Sequence, residues 1–390
     1  MMINIDVACA AVMEDYVFFS ALEINALLRM DLLSGKAECV CRFEKEKGSR
    51  SLHGKAFCYG KQIWFIPLFG EFIACYHTDR KEMEYFEVPK RRTGTLGRDT
   101  FWLHTNEGDV KPVFSDAGRF DDHKLYLVPA VSDAVIILDM KTGSLTPFYD
   151  VIDVENELMG CGAICGDQLW MAPYIGNQLI CLDMKTGEKE RHKCTCELGC
   201  YFGICALEEN LWFSLHDKGR ILIYNTLKKQ FRRTDMADPE NGSQIDPYRY
   251  RDIFSFNGNI WMLPAESERI ILVNPTDGRI TGIYPPEKVN LGTMVGMEAH
   301  KNGVFFYSYA GVMDIDHDGK ITAYKVSIDE NEFLKVCRGD SLTAYCNCFV
   351  DVIQEEKLGL LNYVEAVKNR KLQTKSRPGD EIRDYFKLLY

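Results

Sequence analysis

Residues 166–187 read Gly166-Asp167-Gln168-Leu169-Trp170-Met171-Ala172-Pro173-Tyr174-Ile175-Gly176-Asn177-Gln178-Leu179-Ile180-Cys181-Leu182-Asp183-Met184-Lys185-Thr186-Gly187. A polar turn opens the stretch, an aromatic residue closes a short apolar strand, and a proline follows three residues later. Proline has no amide hydrogen for a sheet ladder, so its place there predicts a strand end. Leu179-Ile180-Cys181-Leu182 is then apolar without alternation, the pattern of a strand covered on both faces. Asp183 to Gly187 is a turn, because Asp accepts turn geometry and Gly a positive φ. The polar residues beyond it predict a last, more exposed strand.

The same pattern recurs along the chain. Counted from the aromatic, Phe18 leads to Asp31, Trp64 to His77, Tyr126 to Asp139, Trp170 to Asp183, Trp212 to Asn225 and Trp261 to Asn274, a spacing of 13 each time. Phe305 leads to Asp316 in 11, which predicts a tighter turn between the middle strands of that unit. Pro67, Pro129 and Pro264 repeat the place of Pro173, and Ala134 to Leu138 and Arg269 to Val273 repeat the apolar run. The steps between aligned aromatics are 46, 62, 44, 42, 49 and 44 residues. A repeat at this period, with four short antiparallel strands per unit and buried middle strands, reads as the blade of a β-propeller. Seven units span roughly residues 4–328. The expectation is an all-β, seven-bladed β-propeller of four-stranded antiparallel blades, with six or eight blades if an end unit is irregular. No N-terminal strand that would complete the last blade is legible.

The turns Ile137-Leu138-Asp139-Met140-Lys141-Thr142-Gly143, Cys181 to Gly187 and Leu272-Val273-Asn274-Pro275-Thr276-Asp277-Gly278 carry a family likeness. They resemble those of bacterial kelch-type, YVTN-type and quinoprotein-like propellers over about 320 residues. The Gly-Gly doublet of kelch blades and the Trp-Asp of WD40 repeats are absent. The resemblance implies the fold, and propellers host enzymes, sugar binders and scaffolds alike.

Composition narrows the classes. A formal charge of −11 argues against sequence-independent nucleic-acid binding, which needs a basic surface. No segment has the run of about 18 apolar residues of a membrane span. Met1 to Asp6 lacks a basic region before an apolar stretch, and 15 cysteines without a secretory signal suit a reducing compartment, so a cytoplasmic location is expected. The cysteine spacings, notably Cys161/Cys165 and Cys194/Cys196/Cys200 near His192, do not match structural zinc, and a scattered core role is expected.

Candidate site residues come from the loops on one face. An enlarged connection at 90–118 opens with Lys90-Arg91-Arg92 and carries Arg98, Trp102 and His104, and a second at 232–252 holds Tyr248-Arg249-Tyr250-Arg251. Guanidinium and aromatic groups together suit anionic or sugar ligands, by bidentate hydrogen bonds and stacking. The fourth residue past each aromatic is Leu22, Leu68, Ala130, Tyr174, His216, Ala265 or Tyr309, so Tyr174, His216 and Tyr309 are the polar or aromatic members of an apolar rim. The binding set is therefore Arg91, Arg92, Trp102, Tyr174, His216, Arg249, Tyr250 and Tyr309. For acid–base chemistry the candidates are Glu298, His300, His216 and His104, led by Glu298 and His300 on an inner strand. Asp314-Ile315-Asp316-His317-Asp318-Gly319 matches the opening of a calcium loop, but Lys325 stands where an EF-hand needs Glu. No cofactor or metal is assigned, with Asp314, Asp316 and Asp318 the residues on which a calcium site would rest.

Residues 1–330 are expected to form the propeller and 331–390 a helical extension packing on it. Phe349, Val352, Ile353, Leu360, Leu361, Val364 and Val367 fall at helical spacing, predicting two short helices broken near Gly359. Such an appendix either caps the underside of the ring or docks a partner. The functional expectation is a non-catalytic recognition or scaffold module for a small anionic or carbohydrate ligand or a protein. The alternative is a lyase or hydrolase acting on such a ligand at the central channel.

Overall fold

The computed structural model describes residues 1–46, 52–68, 70–89, 91–94, 114–194, 201–215, 220–235, 250–264, 270–276, 279–283, 291, 294–301, 303–309, 311–336 and 360–368. Its strands form seven four-stranded sheets, each in chain order, and one separate two-stranded ribbon. These are the blades of a seven-bladed β-propeller. Blade 1 runs Val7–Met13, Tyr16–Ala21, Leu27–Asp31 and Ala37–Cys41; blade 4 runs Leu158–Cys165, Gln168–Ile175, Gln178–Asp183 and Lys189–Lys193. Blade 7 runs Met294–His300, Gly303–Ser308, Gly311–Asp316 and Ile321–Lys325.

Cross-strand register explains the spacing of the repeat. Trp64 lies opposite Cys75, Trp170 opposite Cys181, Trp212 opposite Ile223 and Trp261 opposite Leu272, always on the third strand of the same blade. Phe305 lies opposite Asp314, and the shortened loop there is closed by the Gly311 amide donating to Ser308 Oγ at 3.0 Å. The turn residues act through their side chains. Asp183 Oδ1 accepts from the amides of Lys185 and Thr186, both at 2.8 Å, and Asp31 does the same for Leu33 and Ser34. Those bonds stabilise the ionised form and hold both carboxyls below the usual carboxylate range. The following residue ties the third-strand turn to the first: the amides of Leu32, Thr78, Met140, Met184 and Thr226 donate to the carbonyls of Asp15, Lys61, His123, Asp167 and Glu209.

Pro67, Pro129 and Pro264 end their strands as expected, but the second strand of blade 4 runs through Pro173 to Ile175. The ladder tolerates this because it shifts register there, Leu158 facing Ile175 and Met159 facing Pro173. A further irregularity recurs in every blade. The first strand shifts register between Val7 and Cys9, His53 and Lys55, Phe114 and Asp116, Met159 and Cys161, Tyr201 and Gly203, Tyr250 and Asp252, and Met294 and Gly296. One extra residue bends the strand and re-aims the side chains beside it.

By contacts the chain divides into two compact units, Met1–Val88 with Pro285–Leu388, holding blades 7, 1 and 2, and Pro89–Tyr284, holding blades 3 to 6. In each, the core lies between neighbouring blades. Tyr126, Val128 and Val135 pack with Met159, Met171 and Ile180, and Trp170 and Cys181 pack with Leu211, Phe213 and Tyr224. Burying such a side chain stabilises by about 1.5–3 kcal/mol, which is why unbroken apolar third strands recur.

The first unit also carries the ends of the described chain. Met2–Asn4 pairs antiparallel with Ser327–Asp329, so the N-terminus closes on the segment after blade 7 and blade 7 is built of consecutive strands alone. Two helices are described, α1 (Glu330–Val336) and α2 (Leu360–Lys368). Helix α1 starts earlier than the predicted helices, because Asp329 Oδ1 caps it through the amides of Asn331 and Glu332. The predicted helix around Phe349 to Ile353 lies outside the described residues. Phe333, Leu360, Tyr363 and Val364 join the cluster of Ile3, Ile5 and Phe305. The Tyr363 hydroxyl donates to the Glu23 carbonyl at 3.0 Å, so helix α2 packs at the end of blade 1 that carries the loop between its second and third strands.

Candidate functional site

In the second unit the connection from blade 3 to blade 4, residues 149–157, is drawn onto the loop after the second strand of blade 3. The Asp133 carbonyl accepts from the amides of Val151 and Ile152 at 2.9 and 3.4 Å. Its carboxylate takes Arg91 Nε at 3.1 Å and Nη2 at 2.7 Å, and the Arg91 guanidinium lies 4.1 Å over the Tyr149 ring. Asp133 is 4% exposed, so the pair is largely withdrawn from water. Gly94 brings the Arg91 segment against the same connection: a Cβ there would stand 2.0 Å from the Val154 carbonyl oxygen. Glycine is required by that approach.

The far side of the connection is held in the same way. Arg191 on the outer strand of blade 4 places Nη1 2.7 Å from both oxygens of Glu157, itself 6% exposed, and Nη2 donates to the Val151 carbonyl at 3.2 Å. Within the connection Asp153 accepts from the Glu155 amide and from Asn156 Nδ2, at 3.3 and 2.9 Å. At the rim Arg92 lies 3.5 Å from Glu155.

These braces wall a cavity of about 600 Å3 lined by Asp153, Asn156, Glu157, Gly176, Asn177, Gln178 and Arg191. A smaller hollow of about 130 Å3 adjoins it, lined by Arg92, Asp133, Asp150, Ile152, Asp153, Val154 and Arg191. Carboxylates, amides and guanidinium groups converge, fixed before any ligand arrives. Such a site offers donors and acceptors from mostly polar side chains to a ligand.

The predicted residues fall on several places. Arg91 and Arg92 brace or line the cleft. Tyr174 is buried, at 6% exposure, near the end of the second strand of blade 4. Tyr309 stands in the short turn of blade 7, in the first unit. Trp102, His104, His216 and Arg249 lie outside the described residues, as does the side chain of Tyr250, whose backbone opens the first strand of blade 6. Glu298 and His300 do share the first strand of blade 7, but the carboxylate on His300 is that of Asp314, Nε2 to Oδ1 at 2.7 Å, across the blade. Asp316 Oδ1 caps the turn through the amides of Asp318 and Lys320. Asp314 and Asp316 thus serve different hydrogen-bond sets.

Sequence reasoning missed Asp133, Glu157 and Arg191. The signal available for Glu157 was the acid-rich connection Asp150 to Glu157 between two blades.

No family model matches the chain, and no curated protein matches it by sequence. Solved structures match in fold. A catalytically inactive variant of virginiamycin B lyase from Staphylococcus aureus with quinupristin is 12% identical, with a TM-score of 0.59 over 84% of this chain and 98% of that one. A streptogramin B lyase structure is 15% identical, with a TM-score of 0.58 over 83% and 97%. The structure of U3-55K is 12% identical, with a TM-score of 0.56 over 78% and 89%. The likeness is one of propeller architecture, shared by an enzyme and by proteins of other roles. Among the described residues no helix is long and apolar enough to cross a membrane.

Proposed function

We propose that the chain is a recognition module and that blades 3 and 4 present its site for a small, hydroxyl-rich ligand of the carbohydrate class. The observation that carries this reading is the cavity of about 600 Å3 bounded by Asn156, Asn177, Gln178 and the braced Arg191 and Glu157. Its size is that of a ligand pocket, yet such pockets are usually lined by apolar side chains and this one is not. Amides and carboxylates held at fixed positions suit a ligand with many hydroxyls, each of which donates and accepts.

Charge favours a carbohydrate over an anion. Arg91, Arg92 and Arg191 are matched by Asp133, Glu155 and Glu157. Asp150 and Asp153 then remain on the lining and oppose a second negative group. Small-molecule binding by this fold has a solved example in the inactive lyase with quinupristin.

The test is a saccharide array followed by calorimetric titration of any retained sugar against the wild type, Asn156→Ala and Gln178→Ala. Saturable binding weakened about two- to tenfold by either substitution is expected, each lost hydrogen bond being worth about 0.5–1.5 kcal/mol. An array that retains no saccharide, or binding that both variants leave unchanged, overturns the reading.

A further inference from the structure

In the first unit one ammonium group is seated on two carboxyls brought together from distant parts of the chain. Lys368, at the end of α2, places Nζ 2.6 Å from Asp6 Oδ1 and 3.3 Å from Glu23 Oε1. Asp6 leads into the first strand of blade 1, and Glu23 stands in the loop after its second strand. Their relative position is fixed without the lysine, because the Asp6 amide donates to both Glu23 oxygens, at 3.3 and 3.1 Å. The Asp6 carbonyl also takes the Leu22 amide at 2.8 Å. Glu23 is fully buried.

The helix meets this seat with one face. Leu360, Val364 and Lys368 follow at four-residue intervals and Tyr363 lies beside them, so three apolar or aromatic groups and the ammonium descend together. The phenol hydrogen bond to the Glu23 carbonyl adds a second polar anchor. A buried carboxyl is costly without a partner, and here the cation comes from a segment more than 300 residues away.

We propose that this seat is a recognition site for a primary ammonium group flanked by an apolar patch, occupied in cis by Lys368 of the C-terminal helix. The loops of blade 1 build the site and the helix is its resident ligand. An external primary amine therefore fills the same place once the lysine is removed. The inference is independent of the carbohydrate reading, which concerns other blades.

Chemical rescue tests it. In the full-length Lys368→Ala variant, amide hydrogen exchange of residues 360–368 and 22–26 should quicken, and propylammonium should restore protection in a saturable way. Propyltrimethylammonium carries the charge without N–H donors and should not. Adding Asp6→Asn should abolish the rescue, and the wild type should show none. No rescue, equal rescue by the quaternary ion, or equal rescue in the Asp6→Asn background overturns the proposal. If Lys368→Ala does not fold, Lys368→Met keeps the aliphatic stem, and the same titration decides.

Discussion

Arg91 grips Asp133 through both carboxylate oxygens, and the same aspartate holds the blade 3 to blade 4 connection with its backbone carbonyl. One residue thereby couples two segments on either side of the candidate cleft. Arg91→Ala should leave a nearly buried carboxylate without its cation and destabilise the protein by about 2–4 kcal/mol. Arg91→Lys should recover only part of this, because an ammonium cannot make the paired planar contact or stack as broadly on Tyr149. Denaturant melts of the three proteins measure it, and equal stability of the alanine variant would contradict the coupling.

Gly94→Ala tests the close approach to Val154. A methyl group cannot stand 2.0 Å from a carbonyl oxygen, so residues 91–94 must shift outward. The expected outcome is a loss of about 1–3 kcal/mol and faster exchange of the Val151 and Ile152 amides. Unchanged exchange there would show that the two segments are not packed as described.

His53 should make stability depend on acid. Its Nδ1 lies 3.1 Å from Ser20 Oγ, its Nε2 is buried without a partner, and burial pushes its pKa down to about 3. A depressed folded pKa means that the folded state takes up a proton less readily than the unfolded one. The stability is full above the ordinary histidine value near 6.5 and is lost as pH falls from there towards 3. The total is a few kcal/mol, and His53→Gln should flatten that limb in urea titrations between these pH values.

Glu23 should act in the opposite direction. Burial and the neighbouring Asp6 charge push its pKa up to about 8. A raised folded pKa gives stability that is full below the ordinary value of 4.5 and lost as pH rises towards 8. Urea titrations between these pH values should report lower global stability as pH rises, even though the ionised carboxylate attracts Lys368 more strongly. Glu23→Gln should remove the trend, and a trend that survives the substitution would assign it to another group.

Much of the fold was legible because a repeat states the same physical requirement many times. The aromatic, the apolar third strand and the Asp or Asn turn each answer a local need: burial between blades, or side-chain capping of a turn. The seven bulges escaped notice, since an extra residue in a first strand leaves no mark in the apolar pattern. Pro173 misled for a related reason, as a register shift let the strand continue past it.

The site was less legible. Arg91 and Arg92 were visible as a basic loop, whereas Asp133, Glu157 and Arg191 looked like ordinary surface charges. The His300–Asp314 contact was not legible, because Asp314 is brought to His300 only by pairing across the blade.

The sequence by itself pointed to an all-β propeller of seven repeated units and to the short turn of the last blade, because strand burial and turn chemistry are local and periodic. Only the tertiary structure decided that Arg91 meets Asp133, that Arg191 meets Glu157 and that Lys368 meets Asp6 and Glu23. Those charges lie 34 to 362 residues apart, and nothing in local spacing says which carboxylate a cation will meet once the chain has folded.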